Sequence, residues 1–252
     1  VLGAVREKRP FTPCVGWVGD VFDGKAREAA ELLDAVAYTD TGMVELHATL
    51  GLPGVALYLP HAANPKMSVA APAQDRRNRM VFIAIPSDRR RALVKALRSP
   101  ITIYGPQWTQ ASDVAHEIVA RRISLLEVAG IYGRHMASLN IANEINVVHG
   151  LNQRNFDPYL VGTAVVAEAQ PDLEACFEPG LEVLAYSGAD GLNEVHERLL
   201  ADPGLAAAVG RRGQARVLAE HTYGRRLEQL MWRLSGAGAG RQAAPLDLVH
   251  AH

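Results

Sequence analysis

The chain has 252 residues, 48% of them hydrophobic and 21% charged, with a formal net charge of −1. That length suits one large domain or two small ones, at roughly 150 residues per domain, and it can bury a core without a disulfide or metal staple. The near-neutral balance argues against a nucleic-acid binder, because no global excess of cations is available to neutralise phosphates.

Apolar runs stop short of the ~18 residues of a membrane span, and no signal-peptide pattern opens the chain, so a cytoplasmic location is expected. Cys14 and Cys176 stand far apart in apolar contexts. They read as buried thiols of a reducing compartment, and no Cys/His spacing suits zinc.

Short β-branched runs alternate with helical patterns, which predicts an α/β fold with parallel sheets. Residues 14–18 read as a strand running into the turn Gly19-Asp20. A helix over 26–33, a strand over 35–38, a helix over 43–50 and a strand over 55–59 follow. Prolines and alanines then mark an interdomain linker at 61–78. This leaves a first Rossmann-like domain, residues 1–60, that is short or truncated.

Alternation resumes with a strand over 80–85. Ser87-Asp88 caps a helix over 89–98, and a strand over 100–104 ends at Gly105-Pro106. Ser112-Asp113 predicts a helix to about 121, and a further helix covers 125–135. A strand over 137–141 leads into a polar loop at 142–153, a short helix over 155–161 and strands over 164–166 and 182–186. Helices over 191–200, 204–220 and 223–234 complete the second domain, residues 79–234. Residues 235–252 form a flexible, Gly- and Ala-rich tail. Two such domains predict a cleft, with ligands held beyond the carboxyl ends of the strands and at helix N-termini.

The most informative segment is Asn152-Gln153-Arg154-Asn155-Phe156-Asp157, which enters the short helix closed by Gly162. Backbone N–H groups and Arg154 at a helix N-terminus suit a diphosphate. Asp157, in the first turn, suits a ribose diol. The same spacing equally fits an Asp that complements the helix dipole and a solvated arginine, and the residues alone leave both open.

Other blocks narrow the choice. They are Asp172-Leu173-Glu174-Ala175-Cys176-Phe177-Glu178-Pro179-Gly180-Leu181-Glu182-Val183, Glu220-His221-Thr222-Tyr223 with Arg225-Arg226, Phe82-Ile83-Ala84-Ile85 followed by Arg89-Arg90, and Ile103-Tyr104-Gly105-Pro106. With these in order, the chain from about Pro60 to Arg226 resembles the group 1 glycosyltransferases, in particular the branch typified by the spore-maturation CgeB-like proteins.

The resemblance implies a GT-B fold of two Rossmann-like domains. It implies a nucleotide-sugar donor, UDP-linked by default, bound mainly by the C-terminal domain and consumed as substrate. The acceptor, whether glycan, lipid-linked or small molecule, is left open. Asp157, five positions before Gly162, takes the place of the acidic residue that holds the donor ribose. Arg89 or Arg90 takes that of the diphosphate-contacting basic residue, with Asn152, Arg154 and Asn155 in the neighbouring block. Where the wider superfamily often has a second acid, eight positions before the first, this chain has His149, which leaves the sugar and the stereochemical course open.

Metal-independent chemistry is expected, since arginines and a helix N-terminus can stabilise the leaving diphosphate in place of a divalent cation. Asp20 is the candidate base for the acceptor hydroxyl, or else a turn residue after Gly19. His149 and Gly150 are placed for a sugar hydroxyl, and Tyr104 and Gly105 for the border of the nucleobase. Weaker candidates are His61 at the hinge, Glu144 facing the donor, Trp17 as an acceptor platform or core residue, and Gln107-Trp108 as a stacking pair or domain edge. His221-Thr222-Tyr223 reads as a structural helix boundary capped by Thr222. At helical spacing, Arg89, Arg90 and Arg91 cannot all face one ligand.

A nucleotide-sugar epimerase or hydrolase, and a non-catalytic nucleotide-sugar-binding protein, are the competing readings. A dehydrogenase is disfavoured because no G-x-G-x-x-G follows a strand. A homodimer could cover apolar surface left by a short first domain.

Overall fold

The computed structural model describes residues 2–8, 12–21, 25–67, 76–110 and 113–235. The chain divides into two compact units. One comprises Val1–His61 with the segments Glu144–Asn152 and Gln170–Asp172, and the other comprises Ala62–Asn143, Gln153–Ala169 and Leu173–His252.

The first unit opens with helix α1 (Leu2–Lys8), which the residue pattern does not announce. Strands β1 (Val15–Val18), β2 (Ala35–Tyr38) and β3 (Val55–Tyr58) form a parallel sheet in the order β1-β2-β3, linked by helices α2 (Lys25–Ala30) and α3 (Thr41–Thr49). All four residues of the central strand β2 are buried, as a short apolar run covered on both faces requires. Val36 and Tyr38 pack with Ala30 of α2 and Met43 of α3. Tyr38 meets His47 Nδ1 through its hydroxyl at 2.8 Å, and burial pushes this phenol up to about 12.

The second unit carries six parallel strands. These are β4 (Arg77–Ile83), β5 (Thr102–Tyr104), β6 (Glu117–Val119), β7 (His135–Asn140), β8 (Ala164–Glu168) and β9 (Leu184–Tyr186), in the spatial order β6-β5-β4-β7-β8-β9. Helices α4 (Asp88–Lys95), α5 (Leu125–Gly133), α6 (Gly188–Ala201), α7 (Pro203–Glu220) and α8 (Tyr223–Leu234) complete it. β7 is buried at all six positions, and its residues join those of β4, β5, β8 and α6 in one core.

Two glycines are fixed by close approach. At Gly105, where φ is +149°, a Cβ would lie 2.1 Å from the Ala84 carbonyl oxygen. At Gly210 a Cβ would lie 2.2 Å from the Gly162 carbonyl oxygen, because α7 packs directly against the backbone entering β8. Cys14 and Cys176 are free and buried. No helix among the described residues is long and apolar enough to cross a membrane.

Ser87 caps α4, accepting from the Arg90 amide, and Thr222 caps α8, accepting from the Arg225 amide. The helix expected up to about residue 121 is instead the edge strand β6. Glu117–Val119 pair with Thr102–Tyr104, His116 Nδ1 accepts from the Ile101 amide, and Ile118 packs on the core. Tertiary pairing thus overrides the cap signal of Ser112-Asp113, of which Ser112 lies outside the described residues. The short helix expected over 155–161 is two 3-10 turns, Gln153–Asn155 and Asp157–Val161, parted at Phe156. Pro158, without an N–H, is the second residue of that second turn, and Gly162 ends it at φ +66°. Part of the segment 61–78 and all of 236–252 lie outside the described residues, while β4 already begins at Arg77.

Candidate functional site

In the second unit the strand order reverses between β4 and β7, with β5 and β6 on one side and β8 and β9 on the other. Open α/β sheets hold ligands beyond the carboxyl ends of the strands at such a reversal. Helix α4 starts there, five residues after β4 ends, and its second and third residues are Arg89 and Arg90.

Arg90 is 4% exposed. It donates from Nε and Nη2 to the Ile141 carbonyl oxygen at 3.3 and 3.1 Å, and from Nη1 to that of Ile85 at 3.0 Å. Its guanidinium carbon lies 6.0 Å from the Phe82 ring centroid. Arg90 therefore ties together the ends of the two strands at the reversal. Arg89 forms an ion pair with Glu168 at the end of β8 and donates to the Ala142 carbonyl oxygen. Burial lowers the Arg90 guanidinium to about 10, and the charges of Arg154 and Arg89 act in the same direction. Three cations thus stand together at the carboxyl edge of the sheet, with Glu168 paired to Arg89 and Asp157 under the charge of Arg154, an edge whose donors suit an anion.

Asp157 lies beside them, at the start of the second 3-10 turn. Its Oδ1 is buried without a hydrogen-bond partner among the described residues. Burial pushes this carboxyl up to about 6, while a hydrogen bond from Gln153 and the charge of Arg154 pull it back. The Tyr223 phenol, at the start of α8, is raised by its own burial and by the charge of Asp157. Asn155 is buried, and Arg154 is half-buried. An accepting carboxylate beside a cluster of guanidinium donors suits a ligand that offers hydroxyls at one end and phosphate at the other.

Tyr104 ends β5, its ring edge-on to His135 with centroids 6.4 Å apart. Trp108 is buried, donates to the Ala84 carbonyl oxygen at 2.7 Å and lies under Arg91, so it belongs to the core. His221 is structural as well: Arg226 meets its Nδ1 at 2.6 Å and its Nε2 lies 2.8 Å from the Cys176 carbonyl oxygen. Burial first, and then Arg226, lower this imidazole to about 4. It therefore accepts from Arg226 and donates to Cys176.

The remaining candidates belong to the first unit. Asp20 is exposed and accepts from Asn146 Nδ2 at 2.7 Å. His61 stands against Gly19, its Cε1 3.1 Å from where a Cβ on that glycine would lie. Trp17, 41% exposed, donates to the Leu59 carbonyl oxygen, so the expectation of a core tryptophan gives way to a part-exposed ring. Glu144 is exposed. Asn152 is the last residue of the segment 144–152.

His149 sits in a web that is not evident from sequence. Asp40 caps α3 and also accepts from the amides of Val148 and His149. Thr41 Oγ1 meets His149 Nδ1 at 3.2 Å and donates to Asp172 Oδ1 at 2.5 Å. A Cβ on Gly150 would come within 2.8 Å of the Asp40 Cβ, so only glycine fits.

The structure therefore gathers Arg89, Arg90, Arg154 and Asp157 in the second unit, and holds Asp20 and His149 in the first. Reading the residues missed Glu168, Gln153 and Tyr223. Of these, Glu168 carried a signal, as a carboxylate at the end of a buried strand. Among the described residues no group of three His, Cys, Asp or Glu side chains is placed to hold a metal ion.

Residues 89–232 match the family described as glycosyl transferase-like, a span of more than half the chain that begins on Arg89. The chain belongs to this family. Solved structures agree on the fold. Sucrose-phosphate synthase from Thermosynechococcus elongatus superposes with a TM-score of 0.64 at 17% identity, over 95% of this chain and 71% of that one. Anabaena HepE in complex with UDP and glucose gives 0.67 at 11% identity, over 93% and 74%. The UDP-forming α,α-trehalose-phosphate synthase of Burkholderia xenovorans gives 0.62 at 10%, over 94% and 71%. No curated protein sequence matches the chain. The molecule is a glycosyltransferase of the GT-B fold, and its two parallel sheets are the two Rossmann-like cores of that architecture.

Proposed function

We propose that this glycosyltransferase moves a sugar from a UDP-sugar to an acceptor hydroxyl without a metal ion. The observation that carries the reading is the convergence of Arg89, Arg90 and Arg154 beside Asp157 at the strand reversal. The diphosphate lies against Arg89, Arg154 and the first turn of α4, and Arg90 shapes the floor from below. Asp157, with Asn155 in the same unit, takes the ribose, and Tyr104 borders the base. Neighbours solved with UDP and with UDP-glucose support the choice of base. The order of the sequence blocks supports the CgeB-like branch.

In the reaction the bond between the anomeric carbon and the donor diphosphate breaks, and its electron pair leaves on phosphate oxygen. The guanidinium groups and helix N–H dipoles stabilise that charge where a divalent cation otherwise would. The acceptor oxygen forms the new bond to the anomeric carbon and gives its proton to Asp20, acting as base. His149 holds a hydroxyl of the transferred sugar.

The test is turnover of UDP-sugars in EDTA with panels of glycan, lipid-linked and small-molecule acceptors. Release of UDP only when acceptor is present supports transfer. Equal release without acceptor would mark a hydrolase, and binding without release a non-catalytic protein.

A further inference from the structure

Within the first unit, three side chains form a line: His149 Nδ1, Thr41 Oγ1 at 3.2 Å, and Asp172 Oδ1 a further 2.5 Å on. Each end is fixed by backbone as well. The Thr41 amide donates to Asp172 Oδ2 at 3.0 Å, the Asp172 amide donates to the His149 carbonyl oxygen at 3.1 Å, and the His149 amide donates to Asp40. A hydroxyl has one proton to give, and an ionised carboxylate can only accept. The Thr41 proton is therefore committed to Asp172. The Thr41 oxygen can then only accept from His149, which puts the imidazole proton on Nδ1. His149 Nε2 makes no hydrogen bond among the described residues and keeps its lone pair for a ligand.

We propose that Asp172, acting through Thr41, is a positioning residue that holds His149 in the Nδ1–H form, so that Nε2 accepts a hydrogen bond from a hydroxyl of the sugar being transferred. This role rests on the transferase reading; the tautomer itself does not. A glutamate at this position would accept with a charge, whereas the relay makes a neutral imidazole an acceptor of fixed direction. The arrangement follows the logic by which a buried carboxylate orients a histidine in hydrolytic triads, with a hydroxyl interposed.

Asp172→Asn tests the relay with little change in shape. The asparagine oxygen must stay on the Thr41 amide, so its NH2 faces Thr41 Oγ1 and donates. The hydroxyl proton then turns to His149 Nδ1, and the ring proton moves to Nε2. Long-range 15N–1H correlation spectra of the full chain labelled at histidine, recorded at mildly alkaline pH, read this directly, with His149→Gln assigning the signals among nine histidines.

The expected result is a protonated Nδ1 and a bare Nε2 in the parent and in Thr41→Ser, and the reverse in Asp172→Asn. With UDP-glucose as donor and an acceptor that supports turnover, kcat should fall about 10- to 10²-fold in Asp172→Asn, the range for one sugar-hydroxyl hydrogen bond left unmade. UDP affinity should stay unchanged, which shows that the variant is folded. A parent carrying its proton on Nε2, a tautomer indifferent to Asp172→Asn, or a changed tautomer with unchanged kcat would overturn the proposal. A parent with the Nδ1–H form but no transfer activity would overturn the sugar-hydroxyl role along with the transferase reading and leave the tautomer lock standing.

Discussion

Arg90 donates two hydrogen bonds to the carbonyl oxygen of Ile141, 51 residues further along the chain, and thereby fastens the start of α4 to the end of β7. Its third bond, to Ile85, closes the end of β4 into the same knot. Arg90→Met keeps the volume and leaves two strand-end carbonyls without their donor. Unfolding in urea should show a loss of about 3 kcal/mol, with UDP binding weakened as the strand ends loosen. Arg89→Ala takes the cation from a Glu168 carboxylate that is only 12% exposed but keeps the Ala142 amide as donor, and should cost less, about 1–2 kcal/mol. Similar losses in the two variants would contradict this division of labour.

Asp157 should trade stability for binding. Its carboxyl is raised from 3.8 to about 6 in the folded chain, so the native state binds the extra proton across that window. Stability from this group is present at low pH and lost as pH rises through 6. Asp157→Asn should therefore be more stable than the parent by about 3 kcal/mol at pH ~8, and close to it near pH ~4. Its UDP affinity should fall at least tenfold (about 1.4 kcal/mol) for want of a charged acceptor. Melting curves of both proteins at the two pH values, with and without UDP, check each half.

His196 carries the opposite slope. It is 1% exposed, and neither ring nitrogen has a hydrogen-bond partner among the described residues. Burial lowers it from 6.5 to about 4, so the unfolded chain takes up a proton first and stability declines as pH falls from 6.5 to 4. His196→Leu should stabilise the protein by about 1–3 kcal/mol at pH ~7 and flatten its acid limb. Urea titrations at pH ~7 and ~5 give the comparison.

Gly210 should be irreplaceable, because the atom a Cβ would strike is the backbone oxygen of Gly162, which cannot swing away. Gly210→Ala should destabilise by about 2–4 kcal/mol despite alanine's better helix propensity. It should also disturb the donor site, since Gly162 closes the turn that Asp157 begins. Gly204→Ala, near the start of the same helix, meets only the Asp202 side chain within 3.0 Å and serves as the mild control.

Much of this fold was legible because its strands are short buried runs and its helix starts carry good caps. β2 lies over the residues read as a strand, and Ser87 and Thr222 cap the helices expected of them. β6 was not legible, since three residues at a sheet edge take their conformation from pairing with β5, not from their own pattern. The same distinction runs through the site. Arg89, Arg154 and Asp157 stand out because charge near a helix start is visible locally. Tyr223 and the Thr41–Asp172 pair were missed because their partners lie far away in the chain, 131 residues in the case of Thr41 and Asp172. Arg90 shows the converse, a cation that reads as a ligand contact and spends its donors on backbone.

The most direct measurement is calorimetric titration of UDP, GDP, dTDP and CMP into the full chain in EDTA, for the parent, Arg154→Ala and Asp157→Ala. The account predicts saturable binding of UDP by the parent and a loss of tenfold or more in each variant, with both variants still melting cooperatively. Failure of all four nucleotides to bind, or UDP binding that both substitutions leave unchanged, would contradict a donor site at the reversal between β4 and β7.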